Sequence, residues 1–173
     1  MDRKTLLAIA AGLIAATTNA PVAALAKADP PPLRFAFEEV VNLGPDENAG
    51  RGLKGERNRI ALLGGSVTGE RLTGDVVAGG ADWQLIRSDG CAEILADYFI
   101  RARDGALIHV VNRGLGCAPD ARRGLYLRAN PVFDAPVGPH DWLNRSVFTS
   151  TIEELPAEAG RPRQVRIRFY EVE

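Results

Sequence analysis

From Leu33 to Glu173 the chain runs as short apolar stretches that alternate with polar positions, broken by turn residues every 8–12 positions. The stretches are 33–43, 58–69, 71–79, 83–87, 91–102, 106–114, 124–133, 142–155 and 163–173. Each is rich in Val, Ile, Leu, Phe and Tyr, and none holds a 3.6-residue apolar period for three turns. A two-residue period bounded by Gly, Pro, Asn and Asp predicts strands. Asp89-Gly90 and Asp104-Gly105 sit between apolar runs, the strongest short-range signal for a β-hairpin. The polar, glycine-rich stretch 44–56 is expected as a loop.

About nine sequential strands with almost no helix predict an all-β fold, a single antiparallel meander. A sheet that long has two unprotected edges, and closure into a small barrel of about 8–10 strands removes them. A β-sandwich is the alternative.

The N-terminus breaks the pattern. Arg3 and Lys4 precede the apolar run Leu6–Ala16, and small residues follow at Ala24, Ala26 and Ala28. This is the layout of a secretory signal peptide over 1–26, too short for a stable membrane span. Residues 27–32, with three prolines, read as a spacer, and 33–173 as the barrel domain. The expectation is a secreted, periplasmic protein.

Composition removes some function classes. A formal net charge of −1 without a basic stripe argues against nucleic acid as partner. His109 and His140 are the only histidines and neither sits at metal-ligand spacing, so no metal and no cofactor is expected. Gly64-Gly-Ser-Val-Thr-Gly69 lacks the glycine a nucleophile elbow needs two residues after its serine. Gly114-Leu-Gly-Cys-Ala-Pro119 ends in proline where a dinucleotide fingerprint needs a helix.

Cysteine usage adds a constraint. With Arg103-Asp104-Gly105 as a three-residue turn, paired positions in the hairpin sum to 208, which sets Cys91 opposite Cys117. With a two-residue turn they are diagonal neighbours. In an oxidising compartment either arrangement favours a disulfide.

Candidate chemistry centres on Gly79-Gly-Ala-Asp-Trp83. Two glycines allow a bend closed to other residues, as at a barrel corner. Asp82 either caps that corner or stands at the lumen mouth, where burial would raise its pKa and suit it to proton transfer. Trp83 is expected to plug the barrel end. Strand parity groups Ile94, Ala96, Tyr98 and Ile100 on one face, joined in the 208 register by Ile108, Val110 and Asn112. It leaves open which way Tyr126, Arg128 and Asn130 point.

The blocks GGSVTGERLTGDVVAGGADWQLIRSDG, DYFIRARDGALIHVVNRG, YLRANPVFD, WLNRSVF and FYEVE, in this order, resemble the bacterial family known as domain of unknown function 3237. The resemblance covers 33–173 and implies a small calycin-like antiparallel barrel. It carries Gly79, Gly80, Asp82, Trp83, Asp104, Gly105, Tyr126, Arg128, Trp142 and Asn144 as family positions. The leader and the two cysteines depart from the family pattern and fit an exported variant.

Three functions remain. The first is a barrel binding a small, partly apolar or aromatic molecule through Trp83, Tyr126, Arg128, Trp142 and Asn144. The second is a cofactor-free acid–base enzyme, an isomerase, cyclase or lyase, with Asp82 and Tyr98 as catalytic groups. The third is a structural module with a filled core. Association into a homo-oligomer stays open.

Overall fold

The computed structural model describes residues 29–173. The expected leader 1–26, its cleavage options and the first residues of the spacer lie outside the described residues. Alternation of apolar and polar positions gives nine strands: β1 (Leu33–Gly52), β2 (Gly55–Thr68), β3 (Gly74–Val76), β4 (Ala81–Ile86), β5 (Ala92–Ala102), β6 (Leu107–Cys117), β7 (Tyr126–Asp134), β8 (Val147–Glu154) and β9 (Arg163–Val172). The described residues contain no α-helix, only a 3-10 turn at Asp141–Asn144.

All nine strands form one antiparallel sheet, and the pairing of β1 with both β2 and β9 brings the ends together. β3 and β4 both lie between β2 and β5, so they act as one interrupted stave. The expected meander therefore closes into a barrel, which removes the two end edges of the sheet, although β7 and β8 meet at only two residue pairs.

Both Asp-Gly turns form. Gly90 and Gly105 take φ of 81° and 91°, and the aspartate before each caps the backbone N–H of Cys91 or Ala106. The β5–β6 register has Ala92 opposite Gly116 and Tyr98 opposite Val110, the pairing that sums to 208. Cys91 and Cys117 are bridged, with Cα atoms 4.3 Å apart. Their sequence separation of 26 implies about 3 kcal/mol of stabilisation in the chain-entropy description. Replacing both cysteines by serine should lower the melting temperature by about 10 °C, as calorimetry can read.

Two expectations are corrected. The stretch 44–56 is not a loop: β1 continues to Gly52 and pairs with β2 down to Gly52 opposite Gly55. Polar side chains suit this arm because both its faces meet water, a case in which hydrophobic alternation carries no signal. Residues 142–144 are not strand either. Asn144 bonds the backbone N–H and C=O of Ala135, both at 2.8 Å, and folds the chain into the 3-10 turn.

The core fills one end of the barrel. Phe37 stacks on Phe169 at 4.5 Å, and Phe133 meets Phe148 edge-on at 5.1 Å. Leu72 from the β2–β3 loop and Leu143 from the 3-10 turn plug that end. The opposite end, where the disulfide ties β5 to β6, is less filled, and the candidate site lies there.

Candidate functional site

β4 begins with a kink that the sequence explains. Val76 pairs with Ile100 and Ala81 with Asp97, so 77–80 span only two residues of β5. Gly79 sits at φ 110° with nothing within 4 Å of where a Cβ would stand, whereas a Cβ on Gly80 would lie 2.5 Å from the Tyr98 Cβ. The first glycine supplies the bend, and the second lets β4 cross flat over Tyr98. Beyond the kink, alternation turns Asp82 and Gln84 into the lumen and Trp83 and Leu85 outward.

A cavity of about 100 Å³ opens at this end. Its wall is apolar, from Leu43, Ile60, Ile94, Leu127, Ile152 and Ile167, with Asp82, Gln84 and Asn112 set into it and Glu154 and Arg163 also lining it. Asp82 Oδ2 accepts from the Gln84 amide at 2.7 Å, and Gln84 in turn accepts from Asn58 at 3.2 Å. Asp82 Oδ1 is buried without a hydrogen-bond partner. Burial pushes the Asp82 carboxyl above the usual carboxylate range, against the opposing pull of Gln84 and of the Leu95 backbone N–H. Asn112 and Ser150 are both fully buried and face each other.

On its own strand Tyr98 comes next after Ala96 toward the plugged end. Its hydroxyl donates to Glu39 Oε2 at 2.8 Å. Glu39 is fully buried, its Oε1 has no partner, and burial raises its pKa to about 8. Alternation from Phe37 to Val41 on β1 is the sequence signal that puts Glu39 inward.

The other expected site residues do not converge on the cavity. Trp83 does not plug the barrel end: it is 49% exposed on the outer wall, with the Arg59 guanidinium 5.5 Å from its ring. Tyr126 and Arg128 also point outward, since their strand neighbours Leu127 and Ala129 take the inner face. Arg123 covers the Tyr126 ring at 4.2 Å, and Arg128 bonds the backbone carbonyl of Leu127. Trp142 packs on Phe148 at the plugged end under Arg71, 3.8 Å from its ring. Asn144 is occupied with Ala135. Of the expected residues only Asp82 lines the cavity, with Tyr98 beneath it. Gln84 and Asn112 belong to the site as well; the hairpin register sets Asn112 on the same face as Ala96, and the barrel turns that face inward. Among the described residues no group of three or more His, Cys, Asp or Glu could hold a metal ion, and no helix is long and apolar enough to cross a membrane.

Fold and site define a small antiparallel β-barrel with a plugged end and, at the other, an apolar-walled cavity into which a few polar groups are set. The chain belongs to the protein family of unknown function DUF3237, whose model matches residues 31–172. A UPF0311 protein of Clostridium acetobutylicum is 29% identical over 152 residues, 81% of this chain and 89% of that one. A UPF0311 protein of Rhodopseudomonas palustris is 31% identical over 130 residues, 68% and 85% of the two chains. Among solved structures, the barrel is similar to a β-barrel-like protein of Acinetobacter baumannii, with TM-score 0.72, 26% identity and coverage of 85% and 100%. An enzyme from Penicillium herquei has the same fold, with TM-score 0.65, 23% identity and coverage of 85% and 98%.

Proposed function

We propose that the cavity binds a small, partly apolar molecule carrying an O–H or N–H donor, and that Asp82 is its polar contact. The observation that carries this reading is the unpartnered Oδ1 of a buried carboxylate on an apolar-walled cavity. Ligand sites are commonly apolar with a few well-placed polar groups, and a buried acceptor without a donor is costly to maintain. The leader pattern together with the bridged cysteines supports the periplasm as the place of action.

Cyclohexanol, an apolar ring with one donor, is a suitable probe. Titrated into the mature protein and followed by amide shifts in NMR, it should move Ala96, Asn112 and Ile152. Asp82→Leu should weaken its binding at least tenfold, the scale of a hydrogen bond to a charged group. Asp82→Asn, which keeps an acceptor, should leave it within about threefold. Shifts confined to the outer wall would sink the reading.

A second reading, acid–base catalysis in the same cavity, is favoured by the upward shift of Asp82, which brings its proton nearer to neutral conditions. That the fold also serves an enzyme is compatible with it. Under this reading the protein speeds deuterium uptake at the carbons beside the carbonyl of cyclohexanone, and Asp82→Asn abolishes the effect while the ketone still binds. Exchange no faster than in buffer leaves the binding reading alone.

A further inference from the structure

Asp82, Ala96 and Asn112 stand in one row across three neighbouring strands, with Asp82 opposite Ala96 and Ala96 opposite Asn112. All three line the cavity. Neighbouring strands run about 4.8 Å apart, so the two polar side chains start from backbone positions about 10 Å apart with one methyl group between them. Leucine or isoleucine at the middle position would fill that gap.

The two ends of the row are chemically unlike. Asp82 offers an acceptor, Oδ1, that no donor meets in hydrogen-bond geometry, the Leu95 backbone N–H pulling on the carboxyl without satisfying that atom. Asn112 is 1% exposed, and its amide meets only the Ser150 hydroxyl, with both contacts at 3.5 Å, at the long limit of a hydrogen bond. An amide NH₂ has two N–H groups to place, and one distant hydroxyl cannot satisfy them. A buried amide with unused donors faces a buried carboxylate with an unused acceptor.

We propose that Asp82 and Asn112 read two groups of one ligand across the gap at Ala96: a hydroxyl that donates to Asp82 and a carbonyl oxygen that accepts from Asn112. The occupant is then a compact hydroxy-ketone, and Ala96 is the specificity-determining residue that keeps the gap open. The inference rests on the reading of this cavity as a binding site and adds the class of molecule.

Three probes of nearly equal size separate the two claims: 2-hydroxycyclohexanone, cyclohexanol and cyclohexanone, each titrated into the mature protein and followed by amide shifts. The hydroxy-ketone should bind at least tenfold tighter than either single-group probe. Asn112→Leu should erase its advantage over cyclohexanol, and Ala96→Leu should remove binding of all three. Ser150→Ala should keep the ranking, because the amide stays in place. Equal binding of all three probes overturns the inference and leaves the cavity a binding site; no binding by any probe overturns both. An Asn112 that only holds a structural water gives a less stable Asn112→Leu protein with unchanged probe ranking, which also overturns it. If Asn112→Leu fails to fold, the ranking of the probes on the unaltered protein decides.

Discussion

Glu39→Gln is expected to make the protein more stable in mild alkali and to remove a large part of its pH dependence. Glu39 is fully buried beside Tyr98, and desolvation raises its pKa from the usual 4.5 to about 8, only partly offset by the Tyr98 hydroxyl. Below about pH 4.5 the carboxyl is protonated in both folded and unfolded chains, and Glu39 adds no slope. Between 4.5 and 8 the unfolded chain has released that proton while the folded one keeps it, so stability falls by about 1.4 kcal/mol per pH unit. Above 8 both forms are ionised, and the full cost, on the order of 5 kcal/mol, has been incurred. Glutamine keeps the shape and an acceptor for Tyr98 but has no proton to lose. The difference in unfolding free energy between variant and unaltered protein, measured by urea titration at several pH values, should grow from pH 5 to 8 and then level off. A difference that stays flat across this range would show that Glu39 is not held neutral by burial. Tyr98→Phe acts in the opposite direction: it removes the donor to Glu39 Oε2, so the pKa rises further and the fall in stability continues to higher pH, beyond 8.

Gly80→Ala should cost about 3 kcal/mol or more, and Gly79→Ala about 1–2 kcal/mol. These adjacent glycines fail for different reasons. At Gly80 a Cβ would lie 2.5 Å from the Tyr98 Cβ and 2.7 Å from the Asp97 carbonyl oxygen. Neither is a flexible chain end, so the strands must separate, and overpacking of this kind costs one to a few kcal/mol. At Gly79 the space is open and only the φ of 110° is unfavourable, which costs on the order of 1–3 kcal/mol for other residues. Thermal melts of the two variants give the order. The Gly80 variant should also lose cyclohexanol binding, because the strand that moves carries Asp82. Equal costs would mean that conformation alone, without the close approach, explains the pair.

Hairpins and their register were legible in the chain because each rests on local chemistry. Asp104-Gly105 sets the turn, the turn sets the pairing of Tyr98 with Val110, and the pairing brings Cys91 to Cys117. The same register put Asn112 on the face of Ala96 and Tyr98. The all-β class and the closed meander followed from alternation and from the cost of bare edges. Other features were not legible. Trp142 carries the apolar signal of a strand, yet the clamp of Asn144 on Ala135 holds it in a turn. The arm of β1 beyond Leu43 pairs through backbone groups, which hydrophobicity does not report.

By itself, then, the sequence determined most of the strands, the two Asp-Gly turns, the cysteine pairing and the family. Tertiary structure alone decided which face of each strand became the lumen. Alternation has a period of two and is symmetric between faces: Tyr126, Arg128 and Asn130 are as regular a set as Leu125, Leu127 and Ala129. Only ring closure, which gathers Leu127 and Ala129 with residues from every other stave, breaks the symmetry. It sends Arg128, Tyr126 and Trp83 to the outer wall and leaves Asp82, with Asn112 two strands away, facing the cavity.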